Sequence, residues 1–153
     1  MVRRSTLVLL LCIGQGCTVA AAAETAERSA VAAPSFDARR FDGAWSVNID
    51  CAGHSDGALG YTFQFPARVE NGFLAGQNGR EGQPSYLKLE GQIDPSGAAL
   101  LSARGLTGEQ KYSVDRVRYG SAYSYHAKAQ FDETRGTGRR IELRKCDLTF
   151  IKQ

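Results

Sequence analysis

Two cysteines constrain the fold of this chain more than any other residues. The chain has 153 residues and four cysteines. The first two, Cys12 and Cys17, lie in an N-terminal segment with the pattern of a secretory signal, so Cys51 and Cys146 are the two that remain after export. Because exported proteins fold in oxidising compartments, an even pair of thiols predicts one disulfide. That disulfide would join the beginning of the folded region to its end.

The N-terminal segment has the parts of a signal peptide. A charged start is followed by an apolar run, and the alanines at 20–23 offer a cleavage site before Glu24. We therefore expect a leader at 1–23 and a mature protein, periplasmic or secreted by a bacterium, that begins near Glu24. A lipoprotein that begins at a lipidated Cys17 is the alternative.

Charge and hydropathy argue against two classes of protein. The formal net charge is +3, and Arg3 and Arg4 of the leader contribute two of these charges. A nearly neutral mature chain lacks the strongly basic face with which proteins bind nucleic acid. No segment is apolar for long enough to cross a membrane as a helix. We therefore expect neither nucleic-acid binding nor a membrane span.

Two regions follow the leader. Residues 24–40 are rich in alanine, serine and charge without a hydrophobic period, which predicts a flexible N-terminal arm. Residues 41–153 alternate apolar and polar side chains in short segments between glycine-rich turns, which is typical of an all-β domain. The Asn-Gly pair at 71–72 is a strong hairpin signal. The predicted strands lie near 45–51, 61–65, 73–74, 87–93, 98–106, 123–131, 137–144 and 147–152.

The disulfide selects among all-β architectures. Cys51 lies at the end of the first strand and Cys146 at the start of the last, so antiparallel pairing of these strands would place Ile49 opposite Leu148. All four side chains then share the buried face. An up-and-down meander with an even number of strands closes with its first and last strands antiparallel. We therefore predict an antiparallel up-and-down barrel of about eight strands, closed by one disulfide, whereas a sandwich satisfies the bridge alone.

A short motif lies at the start of the predicted barrel. The segment Phe41-Asp42-Gly43-Ala44-Trp45 resembles the F-x-G-x-W opening of calycin-type barrels, which include lipocalins, fatty-acid-binding proteins and avidins. In those families the tryptophan plugs one barrel end, often beneath a basic residue of the last strand. The resemblance implies that Trp45 is such a plug and that Arg144 or Lys152 covers it. An ordinary core tryptophan is the alternative.

Residues typical of catalysis or metal binding are few. His54 and His126 are the only histidines, and neither has the spacing of a metal-ligand motif. No G-x-S-x-G elbow is present, and the segment 136–140 lacks the G-K-[ST] ending of a phosphate loop. We therefore expect no enzyme, no metal site and no cofactor. A basic cluster near the C-terminus is interpreted as a solvated edge: Arg135, Arg139, Arg140, Arg144 and Lys145.

Tyrosines around the sixth strand are the main candidates for recognition. Tyr119, Tyr123 and Tyr125 lie in and beside a long loop that begins at Thr107, and a long loop at a barrel mouth is a usual binding place. We predict that these tyrosines and Trp45 contact a ligand or partner. Tyrosines that merely pack over the barrel end are the alternative.

Two functions are consistent with these features. The first is a non-enzymatic, monomeric binding module that takes a small apolar ligand or an envelope component. Small residues on the strands would leave room inside the barrel: Gly91, Ala103, Ala127 and Ala129. The second is a protein-binding inhibitor. A periplasmic family of metalloprotease inhibitors is similar in outline, with an eight-stranded barrel, one disulfide and an N-terminal arm in the protease cleft, which implies that role for 24–40.

Overall fold

A computed structural model describes residues 37–153 of the chain. These residues form a closed antiparallel barrel in which consecutive strands are neighbours and the first strand pairs with the last, so the predicted architecture is confirmed. The predicted leader and residues 24–36 of the predicted arm lie outside the described residues. The strands are β1 (Gly43–Cys51), β2 (Tyr61–Glu70), β3 (Phe73–Asn78), β4 (Leu87–Gln92), β5 (Ala98–Leu106), β6 (Ala122–Phe131), β7 (Arg135–Arg140) and β8 (Cys146–Lys152). Short 3₁₀ helices are Ala38–Phe41, Gln110–Tyr112 and Val114–Arg116.

The register between β1 and β8 is the one that the sequence predicts. Ile49 lies opposite Leu148, and Val47 lies opposite Phe150. All four side chains are buried in the barrel core. The alternation of side chains along both strands therefore fixes which pairs meet when the barrel closes, because a shift of one residue would turn every apolar side chain outward.

The disulfide joins β1 to β8 at one end of their ladder. Cys51 and Cys146 are directly opposite and bonded, with their Cα atoms 4.0 Å apart. This distance is shorter than the expected 4.4–6.8 Å. The N–H of Ala52 donates to the carbonyl oxygen of Lys145, which makes the cysteines a non-hydrogen-bonded pair. Antiparallel ladders bring the Cα atoms of such pairs closest together.

The barrel end where β1 begins, here called the closed end, is filled with aromatic rings. The indole of Trp45 meets the ring of Phe131 edge-on, with centroids 5.6 Å apart, and Phe131 lies 4.7 Å from Phe150. The indole N–H donates to the carbonyl oxygen of Phe41 at 2.9 Å. All four rings are at most 3% exposed. The closed end is therefore a packed core.

Lys152 covers the tryptophan at this end. Its Nζ lies 5.9 Å from the ring centroid of Trp45 and donates to the carbonyl oxygen of Arg40 at 3.0 Å. Gly43 has a φ of +139°, which favours glycine, and a Cβ there would lie 3.1 Å from Cε of Lys152, so a side chain at this position would push the lysine aside. Arg144, the other candidate cover, lies at the opposite end of the barrel, two residues before β8 begins.

The 3₁₀ helix before β1 is tied to the β2–β3 hairpin. The carboxylate of Asp42 accepts hydrogen bonds from the backbone N–H groups of Asn71 and Gly72, at 3.0 and 2.9 Å. Both turn residues have positive φ, 52° and 73°, as the predicted Asn-Gly hairpin requires. Residues 37–40, which the sequence assigns to the flexible arm, thus form the N-cap and most of an anchored helix at the closed end.

The seventh strand begins and ends earlier than predicted. It spans 135–140 rather than 137–144. The carboxylate of Asp132 accepts the N–H groups of Thr134 and of the following residue, at 2.8 and 2.6 Å, and so forms a tight turn directly before the strand. After the strand, Leu143 has a φ of +60°, which breaks the extended conformation and turns the chain toward the barrel mouth.

Candidate functional site

A cavity of about 520 Å³ occupies the end of the barrel where β1 finishes, here called the open end. Its walls come from the starts of β2 and β6, the ends of β5 and β7, and the β5–β6 loop that precedes Ala122. The volume lies within the range of about 300–1,000 Å³ that is usual for small-molecule sites. The apolar and aromatic side chains that shape it include Tyr61, Phe63, Leu106, Tyr112, Val114 and Tyr123.

Two ladders stop short of the open end and leave room for the cavity. The pairing of β2 with β3 begins only at Ala67 and Gly76, so residues 61–66 of β2 have no partner on that side. Pro66, which has no N–H to donate, is the last residue of this unpaired stretch. The pairing of β6 with β7 likewise reaches only Ala127 and its partner. The barrel therefore closes tightly at one end and widens at the other.

Two pairs of aromatic rings flank the cavity. Tyr123 and Tyr125 are stacked with centroids 6.2 Å apart and planes at 4°, and Tyr61 lies 5.0 Å from Phe63. The hydroxyl of Tyr123 donates to the carbonyl oxygen of Tyr86 at 3.4 Å. Burial raises the pKa of the Tyr123 and Tyr125 hydroxyls above the ordinary value. Both therefore stay neutral and keep their O–H donors.

Two arginine side chains from the C-terminal part of the chain line the same cavity. The guanidinium carbon of Arg140 lies 4.1 Å from the ring centroid of Tyr125, and that of Arg144 lies 5.1 Å from the ring centroid of Tyr61. Arg144 is only 3% exposed. It donates to the carbonyl oxygens of Tyr112 at 2.8 Å and of Leu59 at 2.9 Å, and so holds two loops of the mouth together.

Two arginines and one glutamate give the cavity lining a net positive charge. Glu109 is the acidic residue of the lining, and its carboxylate is paired with Nζ of Lys111 at 2.9 Å. The Nε atoms of Arg140 and Arg144 are buried and have no hydrogen-bond partner within the described part of the chain. Buried polar groups nearly always have a partner, so these two donors are an unusual feature of the site.

Asp56 fastens the loop before β2 to the loop before β6. Its carboxylate accepts the N–H groups of Ala58 at 3.0 Å and Asp115 at 2.5 Å, and it lies 3.0 Å from Nδ1 of His54. The backbone hydrogen bonds from Ala58 and Asp115 are the main reason why the pKa of Asp56 falls to about 2. The ionised carboxylate thus positions Val114, the neighbour of Asp115, on the cavity wall.

The structure separates the four predicted contact residues. Tyr123 lines the cavity, and Tyr125 lies below it, stacked on Tyr123 and 3% exposed. Tyr119 is 59% exposed and lies outside the cavity lining. Trp45 lies in the packed closed end. The structure therefore brings two of the four residues together at one site.

The sequence did not identify Arg140 and Arg144 as residues of the cavity. Arg139 and Arg140 point to opposite faces of β7: Arg139 pairs with Asp147 on the outer face at 2.9 Å, whereas Arg140 faces inward. The signal was present, since Arg140 has the inward parity of Gly136 and Gly138 on the same strand. The alternation along a strand predicts opposite faces for Arg139 and Arg140, but not that the inner face borders a cavity.

Small residues do not create the cavity. None of Gly91, Ala103, Ala127 and Ala129 is part of its lining, so the expectation that they leave room inside the barrel is wrong. A Cβ at Gly91 would lie 2.7 Å from the carbonyl oxygen of Leu100. Gly91 is small because the neighbouring strand β5 packs closely against it.

The two histidines make separate contacts with carboxylates. His54 contacts Asp56 as described above, and Nδ1 of His126 lies 2.8 Å from Oε1 of Glu142 in an exposed contact. Among residues 37–153, no group of three or more histidine, cysteine or acidic side chains is arranged to hold a metal ion. No helix within this range is long and apolar enough to cross a membrane.

Comparisons with protein-family models, with curated proteins and with solved structures gave no match to this chain. The class of protein is therefore defined by its geometry: a closed eight-stranded antiparallel barrel with one disulfide and a cavity at one end. The resemblances to calycin-type barrels and to protease inhibitors stay predictions.

Proposed function

We propose that this protein is a non-enzymatic binding protein that takes a small, mainly apolar ligand in the open-end cavity. The observation that carries the proposal is the preformed cavity of about 520 Å³ with aromatic walls. Concave, mostly apolar sites with a few convergent polar groups are typical of ligand binding. The packed closed end serves as a rigid base, and the Arg144 and Asp56 contacts hold the loops of the mouth in place.

The proposed location is the periplasm or the extracellular medium. The Cys51–Cys146 disulfide supports this location, because such bonds persist in oxidising compartments and are rare in the cytosol. A protein that works there as a carrier or scavenger needs a site that exists before its ligand arrives. Preorganisation of this kind reduces the conformational entropy that is lost on binding.

A fluorescent apolar probe tests the proposal directly. N-phenylnaphthylamine (NPN) is neutral and gains fluorescence in apolar surroundings. We expect saturable binding of one NPN per protein. Tyr123→Ala should weaken this affinity about three- to tenfold, because it removes a ring from the cavity wall. Tyr119→Ala is the matched control, since this tyrosine is exposed outside the lining, and it should bind NPN like the wild type.

The absence of saturable NPN binding by the folded wild-type protein would contradict the proposal. Equal losses in the two tyrosine variants would place the probe elsewhere on the surface. Native mass spectrometry of protein purified from its own host provides the complementary measurement, since a retained ligand appears there as a defined mass increment.

A protein partner at the open end is the second candidate function. The supporting observation is a rim of exposed apolar side chains in the loops of the mouth: Leu59, Val117, Tyr119, Ile141 and Leu143, between 40% and 68% exposed. Clustered apolar groups on a surface are typical of interaction sites. The arm of the proposed inhibitor mechanism lies almost entirely outside the described residues, so the rim alone supports this candidate.

Site-specific photo-crosslinking in the host separates this candidate from ligand binding. A photoreactive residue at Leu143 should give one discrete crosslinked protein band. Leu100 is the matched control, because it is similarly exposed but lies on β5, in the barrel wall, and it should give none. Equal patterns at both positions would exclude a specific protein partner at the rim.

A further inference from the structure

Arg140 differs from its neighbour Arg139 in having no acidic partner among the described residues. Arg139 is exposed and paired with Asp147 at 2.9 Å, whereas Arg140 faces the cavity with a buried, unpartnered Nε. Its guanidinium carbon lies 4.1 Å from the ring centroid of Tyr125, a contact that leaves the Nε donor without an acceptor.

Burial of the Nε donor of a charged guanidinium without a hydrogen-bond partner needs a physical reason. A buried donor without an acceptor costs about 1–3 kcal/mol, and more when the group is charged. The ring of Tyr125 returns part of that cost through the cation–π contact. An oxyanion in the cavity would remove the rest, because the planar fork of arginine matches carboxylate and phosphate oxygens.

Arg144 adds a second positive charge to the same cavity. Its terminal nitrogens are occupied by backbone carbonyl oxygens, which hold the side chain in place, and its Nε remains unpaired. The one acidic side chain of the lining, Glu109, is already paired with Lys111. The cavity therefore combines apolar, aromatic walls with a positive charge that the described residues leave unneutralised.

We propose that Arg140 binds an acidic group of the ligand, and that the ligand is a compact organic acid with an apolar, ring-bearing body. This inference rests on the proposed ligand-binding function. The rings of Tyr61, Phe63 and Tyr123 contact the apolar body, while the guanidinium of Arg140 donates to the oxyanion. The charge of Arg144 strengthens the attraction without requiring this residue to leave its carbonyl partners.

Two probes with the same ring system test the charge preference. NPN is neutral, and anilinonaphthalene sulfonate (ANS) is the same anilinonaphthalene with a sulfonate added. We measure the dissociation constants of both probes and compare their ratio between wild type and variants, so that differences in probe solubility cancel. Arg140→Gln should weaken ANS binding about tenfold or more, since a charge-assisted hydrogen bond is lost, and should change NPN binding less than about twofold.

Matched variants control for folding and for charge. Arg139→Gln removes the same charge from the outer face of the same strand and should leave both dissociation constants unchanged. Arg140→Lys keeps the charge but loses the planar fork, and it should give an ANS affinity between those of Arg140→Gln and wild type. Competition between the two probes shows that they share one site, and weaker binding of both to Tyr123→Ala places that site at the cavity.

The outcomes distinguish this inference from the proposed function. NPN binding with an ANS-to-NPN ratio unchanged by Arg140→Gln would overturn the acidic-ligand inference and leave ligand binding intact. Equal weakening of both probes in Arg140→Gln would assign Arg140 a packing role and also overturn it. Failure of the folded protein to bind either probe would overturn the proposed function itself.

Discussion

Lys152 lies over Trp45 at the closed end of the barrel as Arg144 lies over Tyr61 at the open end. The cation-to-centroid distances are 5.9 and 5.1 Å. The rings differ in their surroundings: Trp45 is fully buried against other aromatic side chains, whereas Tyr61 is only partly buried and borders the cavity. The same type of contact thus covers the packed core at one end and borders the cavity at the other.

Removal of the lysine cover should destabilise the closed end modestly. Lys152→Met loses the cation–π contact with Trp45 and the hydrogen bond to the carbonyl oxygen of Arg40. We expect the free energy of unfolding to fall by about 1 kcal/mol, measured by urea titration. Lys128→Met is the control, because this exposed lysine lies on the outer face of β6. A loss in the control as large as that in Lys152→Met would rule out a specific cover.

Removal of the disulfide should lower stability without changing the strand order. The bonded cysteines are 95 residues apart in the sequence, so the unfolded chain has more conformational entropy without the bond. For the double variant Cys51→Ser, Cys146→Ser, the free energy of unfolding should fall by about 2–5 kcal/mol. The far-ultraviolet circular dichroism spectrum should keep its β-sheet form. An unchanged urea midpoint would show that the bridge contributes nothing to stability.

The loops before β2 and β6, which Asp56 joins, should be held less firmly at acidic pH. The pKa of Asp56 is lowered from 3.8 to about 2 in the folded protein. A carboxyl with a depressed folded pKa stabilises the fold above its unfolded pKa, and this contribution disappears as the pH falls from about 4 toward 2. Asp56→Asn should therefore unfold at lower urea concentration than wild type at pH 7, and the difference should shrink near pH 2.

NPN affinity is the second measurement for Asp56→Asn. Because Asp56 positions the loop that carries Val114, the variant should bind NPN more weakly than wild type at pH 7. Asp147→Asn is a suitable control, since Asp147 lies on the outer face, pairs with Arg139 at 2.9 Å and is not part of the cavity lining. A difference in urea midpoint between wild type and Asp56→Asn that is the same at both pH values would contradict the proposed role of the ionised carboxylate.

Truncation of aromatic side chains should affect the two barrel ends differently. Phe131→Ala removes a ring that packs against Trp45 and Phe150, and it should lower the free energy of unfolding by about 3–5 kcal/mol. Tyr123→Ala removes a ring that borders an existing cavity, so its cost should be clearly smaller. Urea titrations of the two variants give the comparison, and equal losses would mean that the open end is packed as tightly as the closed end.

The barrel could be predicted from the sequence because it depends on a local pattern, the alternation of side chains, and on one covalent bond, the disulfide. Alternating apolar and polar side chains assign each strand an inner and an outer face. The structure keeps this assignment in β1 and β8, because folding buries the apolar face. The two cysteines then relate the ends of the chain. Strand limits were less accurate, as β7 shows, because they depend on single hydrogen bonds such as those of Asp132.

The candidate site was predicted only in part. Tyr123 and Tyr125 were found through their clustering near a long loop. Tyr119, in that loop, points away from the cavity, and Trp45 lies at the other end of the barrel. Arg140 carries the parity signal of an inward residue, but nothing in the sequence shows that the position it faces is hollow.

The sequence alone therefore determined the strand order, the inner faces and the register of β1 against β8, since these follow from side-chain periodicity and one covalent pair. Only the tertiary structure decided that one end of the barrel is packed and the other hollow. That difference arises where the β2–β3 and β6–β7 ladders stop and where Arg144 and Asp56 hold the loops. Such contacts join residues far apart in the chain, and their geometry is set by the closure of the whole barrel.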